Sequence, residues 1–245
     1  MRSLVLILMF FVFQSQAQSG SEIIAKADEK SRGNSSATEI TIQIIRPSWT
    51  REMKMKSWSL GTEYSMSVVL SPAKDKGTVF LKRNRELWNW VPSIERTIKM
   101  PPSMLTQSWM GSDLTNDDLV KETSNKDDFN CKILGAENMG GRACWKIEML
   151  PKAGSAVVWG KVMTWVDQKD FVYMKSEFYD EDNYLVNTMV ASEIKNIGGR
   201  NLASKTEVIP AEHPGNKTVM ILNSANFNAN NPASFFTVQN MRKVK

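Results

Sequence analysis

From residue 38 onward, apolar and polar positions alternate with a period of two. Ile40, Ile42 and Ile44 alternate with Glu39, Thr41 and Gln43, and Met53 and Met55 alternate with Lys54 and Lys56. Tyr64, Met66 and Val68 repeat the pattern before Ser71-Pro72. Strand side chains point to opposite faces in turn, so this spacing predicts half-buried antiparallel strands joined by short turns. Further strands are expected over 78–82 and 86–91, a hairpin around Arg83-Asn84, and over 95–99. Beyond residue 130 they are expected at 131–134, 143–150, 156–167, 171–179, 185–197, 204–209, 218–223 and 235–240. A mainly β protein of about eleven or twelve strands in one curved sheet is the economical arrangement. Neither a repeat, a linker nor a low-complexity block marks a domain boundary.

Two stretches depart from the alternation. Residues 21–31 carry Ile23, Ile24 and Ala27 at helical spacing, with Ser21 as a cap and Gly33 just beyond the end. Residues 101–122 open with Pro101-Pro102, carry Met104, Leu105 and Trp109, and run into Asn116-Asp117-Asp118. Two short helices are expected there, making this segment the main interruption of the sheet.

The N-terminus predicts the compartment. Arg2 precedes an unbroken apolar run over 4–13, followed by Ser15-Gln16-Ala17. Ten apolar residues fall short of the roughly 20 a membrane-spanning helix needs. The pattern is that of a secretory signal cleaved after Ala17, leaving one domain over 18–245. Net charge is +5, with basic residues interspersed among acidic ones, so no nucleic-acid footprint emerges. Cys131 and Cys144 flank a Gly-rich turn, and a disulfide across a hairpin and two buried thiols stand as equal expectations.

No catalytic constellation emerges. His213, the single histidine, sits in a Pro/Gly loop; there is no Gly-x-Ser-x-Gly elbow, no phosphate-binding Gly-rich loop and no metal-ligand spacing. The acidic groups Asp113/Asp117/Asp118, Asp127/Asp128 and Asp180-Glu181-Asp182 are expected to be turns. No catalytic residue, metal or cofactor is therefore assigned. The positive signal is apolar: eight tryptophans and fifteen methionines, two of which leave with the signal. Methionine is flexible and polarisable and suits surfaces that adapt to variable apolar partners. In a sheet with few helices to cover it, this excess points to a ligand cavity. The expected lining is Trp88 or Trp90, Met100, Met104, Trp109, Met163, Trp165 and Met189.

The assembled pattern resembles a known family. Its marks are Arg46-Pro47-x-Trp49-x-Arg51, Leu87-Trp88-Asn89-Trp90-Val91-Pro92 with Arg96, the run Trp109-Met-Gly-Ser-Asp-Leu-Thr-Asn-Asp-Asp-Leu119, Pro151-Lys152 and Tyr179-Asp180. It looks like the outer-membrane lipoprotein-sorting (LolA-like) proteins, in their uncharacterised branch. That resemblance implies a single unclosed antiparallel β-barrel of about eleven strands, with a few helices covering an apolar concave face. It implies a periplasmic carrier of lipoprotein acyl chains or lipid, with an inner-membrane transporter and an outer-membrane acceptor as partners. It also implies an arginine near the mouth that controls closure, a role open to Arg46 or Arg51. An envelope sensor or scaffold of the same fold, binding a membrane protein, is the alternative, and an enzyme acting on lipid or glycan comes third.

Overall fold

A computed structural model describes residues 18–84, 86–116, 118, 125–155 and 157–244. The expected signal segment, residues 1–17, and most of the expected second helix after Asn116 lie outside the described residues. Helix α1 spans Gly20–Arg32. Its cap is Ser19, not Ser21: the Ser19 hydroxyl accepts from the Glu22 N–H at 3.2 Å while the Glu22 carboxylate accepts from the Ser19 N–H at 2.8 Å. This reciprocal pair satisfies two N–H groups that a helix start leaves without partners. At the other end Arg200 donates to the carbonyls of Glu29 and Lys30.

Among the described residues, thirteen strands form one antiparallel sheet. They are β1 (Ser35–Arg46), β2 (Trp49–Leu60), β3 (Tyr64–Ser71), β4 (Val79–Arg83), β5 (Glu86–Val91), β6 (Arg96–Lys99), β7 (Phe129–Met139), β8 (Arg142–Pro151), β9 (Lys161–Asp167), β10 (Tyr173–Tyr179), β11 (Leu185–Ile197), β12 (Arg200–Pro210) and β13 (Lys217–Asn226). The spatial order is β6-β5-β4-β3-β2-β1-β13-β12-β11-β10-β9-β8-β7, so β6 and β7 are open edges. Helices α2 (Pro102–Leu105) and α3 (Asn125–Asp128) lie between them in sequence. The class matches expectation, and the count of about eleven is low. The expected strand over 235–240 is absent: 3-10 turns at Ala233–Phe235 and Asn240–Arg242 take its place. Phe236 and Met241 are buried there, covering a sheet face instead of pairing with an edge.

The registers sort every strand into two faces. One carries Ile42 and Ile44, Met53 and Met55, Val69, Phe80, Met220, Val208, Met189, Phe178, Val162 and Ile147. Ser67 on β3 and Tyr173 on β10, both on this face, line one cavity although six strand spacings separate them. A flat sheet would hold them about 29 Å apart. The sheet therefore curls strongly around this face, and bulges at Glu39/Ile40, Lys54/Met55 and Phe178/Tyr179 add to the bend. Helix α1 lies on the concave face over β7–β10, packing Ile23, Ile24 and Ala27 on Phe129, Ile147, Met149 and Val162. Gly20 is required by this approach, since a Cβ there would stand 2.7 Å from the Cys131 carbonyl oxygen.

The cysteines are not paired. Cys131 opposes Met149 and Cys144 opposes Glu137, and the two thiols point to opposite faces of the β7–β8 hairpin. Burial and the neighbouring Asp167 push Cys144 up to about 11, and burial raises Cys131 as well. Only the thiolate is nucleophilic, and at neutral pH about one Cys144 thiol in 10⁴ is ionised. Alkylation of both thiols is expected to be at least tenfold slower in native protein than in denaturant, with no mass change on reduction. Mass spectrometry after timed iodoacetamide treatment reads both.

Candidate functional site

The concave face has two chemically distinct ends. At the end where β1 stops and β2 starts, a hairpin-like loop over residues 106–116 lies across the sheet. It is braced internally: the Trp109 N–H donates to Leu114 O at 2.8 Å, Ser112 Oγ to Trp109 O at 2.7 Å, and the Asn116 side-chain amide to Met104 O at 2.9 Å. Its tip turns at Met110 and Gly111, both at positive φ, and Gly111 adopts +79° without strain. The loop drives Trp109 and Leu114 into a cluster with Ile42, Ile44, Met53, Met55, Val69, Phe80 and Val208. Trp109 is 1% exposed and meets Phe80 edge to face at 5.6 Å, yet its indole N–H has no hydrogen-bond partner among the described residues.

Two arginines hold this loop down. Arg46, at the end of β1, donates to the Asp113 carboxylate at 3.0 Å and to the Gly111 carbonyl at 2.9 Å. Arg51, at the start of β2, donates to the Met110 carbonyl at 3.1 Å and to the Asp75 carboxylate at 2.7 Å. Thr218 on β13 closes the clamp, its hydroxyl donating to Asp113 at 2.7 Å and accepting the Asp113 N–H at 2.9 Å. The Arg46–Asp113 pair is 14% and 7% exposed, so solvent screens it little. These bonds are polar and peripheral, whereas Trp109 and Leu114 make the loop's apolar contacts with the sheet. We refer to this covering loop as the lid.

Beside the lid, toward β7–β11, an apolar-lined hollow of 260 Å³ remains, walled by Phe129, Met149, Trp159, Val162, Phe178 and Met189. A further 220 Å³ shares Phe178 and Met189 with it. At the opposite end of the sheet a third cavity of 390 Å³ has a mixed lining, a row of serines with Asp28, Arg32 and Tyr173 beside Ile40, Trp58, Leu222 and Phe227.

The structure divides the residues expected from sequence. Arg46, Arg51 and Trp109 converge on the lid, Met100 packs against the same cluster, and the Met104 carbonyl anchors Asn116. Met189 lines both apolar hollows. Trp88 and Trp90 lie on the convex face, since they pair with Leu81 and Val79 rather than with Phe80. There the C-terminal segment covers them, with Arg242 stacked over Trp90 at 4.8 Å. Met163 and Trp165 also face outward, in a cluster with Cys144, Val172 and Met174, and the Trp165 N–H donates to Glu137 at 2.7 Å. These four therefore stand apart from the hollow. Trp159, Phe178 and Phe129 were missed because they fall at strand ends, where alternation is too short to assign a face.

The rim has its own character. Nearly all the exposed large apolar side chains lie at the lid end: Trp49, Ile94, Leu150, Val158, Tyr184, Leu185 and Ile209. They come from strand ends and connections at the β1–β2, β5–β6, β8–β9, β10–β11 and β12–β13 junctions, with Tyr184 71% exposed and Trp49 48%. No described helix is long and apolar enough to cross a membrane.

A one-layer antiparallel sheet curled around an apolar face is a fold shared with solved structures that include a LolA superfamily protein. Solved structures of this class superpose on nearly the whole chain. A DUF1329 family protein from Desulfovibrio piger gives a TM-score of 0.82 at 22% identity, covering 91% of this chain and 97% of that one. A domain from Vibrio parahaemolyticus described as a putative outer membrane lipoprotein-sorting protein gives 0.80 at 18% identity, covering 91% and 98%. A LolA superfamily protein from Nitrosomonas europaea gives 0.77 at 24% identity, covering 91% and 99%. No curated protein matches. Residues 61–243 match the model of a family whose description is "uncharacterized protein". The chain belongs to that uncharacterised family.

Proposed function

We propose that the protein is a periplasmic carrier that shelters the acyl chains of lipoproteins or lipids on its concave face, as part of outer-membrane lipoprotein sorting. The observation that carries this reading is the lid. Trp109 occupies the apolar half of the concave face, and it is held there by Arg46 and Arg51 through polar bonds at the periphery. Withdrawal of the loop would uncover Ile42, Met53, Met55, Val69 and Phe80 beside the existing 260 Å³ hollow.

The energetics suit a carrier. Sheltering hydrocarbon from water gains about 0.8 kcal/mol per methylene, so a 16-carbon chain gains on the order of 12 kcal/mol. The lid must give up part of that amount, because Trp109 loses its own burial when the chain enters. That cost lowers the net hold on the chain below the full transfer value, which helps a carrier surrender its cargo to a membrane or acceptor of comparable apolar area. The apolar rim at the lid end is where a donor transporter or an outer-membrane acceptor would dock. The Vibrio protein, described as a putative outer membrane lipoprotein-sorting protein, shares this fold, which accords with the reading. The filled state of the apolar half suits a second reading, an envelope sensor whose rim binds a membrane protein with little lipid inside.

Protein purified from an envelope fraction is expected to carry extractable lipid and to bind a fluorescent fatty acid. Absence of both, with capture of a membrane-protein partner, would favour the sensor instead.

A further inference from the structure

The 390 Å³ cavity lies at the far end of the concave face from the lid, between the C-terminal half of α1 and strands β1–β3. The strand rows that carry Met53, Met55 and Val69 under the lid carry Ser57, Ser59, Ser65 and Ser67 here, all on the same face. Small side chains leave the room, and their chemistry sets its contents. Ser36 and Ser59 share a 2.8 Å hydrogen bond, and Ser57 and Ser67 share one of 2.7 Å. Each such pair uses one of its two hydroxyl protons and leaves the other, with several lone pairs, directed elsewhere. The opposite wall is Asp28 and Arg32 of α1, one acid and one base a helical turn apart. Tyr173 completes it, its hydroxyl donating to Asp28 at 2.7 Å. Bare hydrocarbon here would strand these polar groups, whereas Ile40, Trp58, Leu222 and Phe227 of the same lining can meet the apolar C–H edges of a polyol.

Tyr173 links the two ends. It lines this cavity and both apolar hollows, so a ligand passing it leaves the serine row for an apolar wall. We propose that the serine-lined cavity is a headgroup subsite for a polyhydroxylated, uncharged group, a glyceryl or a sugar, whose acyl chains extend past Tyr173 toward the lid. The inference rests on the carrier reading and names its cargo class. Balanced charge on the helix wall disfavours a strongly anionic or cationic head, and the many donors and acceptors match adjacent hydroxyls.

The test compares three probes of equal chain length, monopalmitoylglycerol, hexadecyl maltoside and palmitate, each displacing a fluorescent fatty acid. Wild-type protein is expected to hold at least one polyol-headed probe tenfold or more tighter than palmitate, and which one identifies glyceryl or sugar. The double variant Ser57→Val/Ser67→Val removes both members of a hydrogen-bonded pair and leaves no orphan hydroxyl. It is expected to bring the preferred probe to within twofold of palmitate, with palmitate binding unchanged. Ser65→Val, whose hydroxyl makes no hydrogen bond to the described protein, gives an independent check and is expected to weaken the preference several-fold. Palmitate binding without preference in the wild type, or preference intact in the double variant and in Ser65→Val, overturns the subsite alone. Failure of all three probes to bind overturns the carrier reading with it.

Discussion

Trp109→Ala is expected to lower stability by about 3–5 kcal/mol, the range for emptying a buried aromatic site. It is also expected to raise the affinity for an apolar probe roughly tenfold or more. Both effects come from the same atoms. The indole fills the space between Phe80, Met55, Val69 and Val208. Removing it forfeits that packing, but it also relieves an incoming chain of having to expel the side chain first. The control is Trp109→Phe. Its smaller ring loses some packing, but it also removes a buried N–H that has no partner among the described residues, and that deletion offsets part of the loss. Stability of Trp109→Phe is expected to fall by no more than about 1.5 kcal/mol, with probe affinity near wild type. Denaturant unfolding and fluorescent fatty-acid titration read the pair. Equal behaviour of the alanine and phenylalanine variants would show that the plug is not what limits entry.

Arg46→Leu and Arg51→Leu act on the clamp rather than the plug. Each removes charge-assisted hydrogen bonds to the lid, from Arg46 to Asp113 and Gly111 and from Arg51 to Met110. Bonds of this kind contribute about 1.5–3 kcal/mol each. A loss of about 2 kcal/mol is roughly thirtyfold in the lid-opening equilibrium. The sheet should stay intact, because neither side chain holds two strands together through its only contact. Hydrogen exchange of a peptide containing residues 109–114 is therefore expected to accelerate about thirtyfold, with exchange in β8–β12 unchanged. Arg46→Leu should have the larger effect, since Arg46 reaches both the carboxylate and a backbone carbonyl of the lid. Uniform acceleration across the sheet would mean that the arginines support the fold and not a separable cover.

The curled sheet was legible because its signal is repeated: period-two alternation in β1, β2 and β3 fixes both strand and face. The motif Trp109-Met-Gly-Ser-Asp was legible as a unit, and its Gly111 and Asp113 now have reasons, a positive-φ turn and a clamp. Which face a tryptophan takes was harder. Trp88 and Trp90 alternate as cleanly as Ile42 and Ile44, and only the register with β4 places them on the convex side. Their cover, Phe236 and Met241, lies about 150 residues away in sequence, where the chain reads as one more strand. Met163 and Trp165 fall outward in the same way, because β9 is apolar on both faces. The serine row was the quietest feature. Alternating serines read as solvent-facing positions, and they become a cavity only once β10 and α1 are brought opposite them.

Hydrocarbon is expected to enter the concave face where the lid now sits. Photocrosslinking with a palmitate analogue bearing a diazirine in its chain, followed by peptide mapping, tests it directly. Adducts are expected on concave residues such as Met55, Val69, Phe178 and Met189, increasing in Trp109→Ala. Adducts confined to the rim, or to the convex residues Trp88, Trp90, Met163 and Trp165, would contradict it.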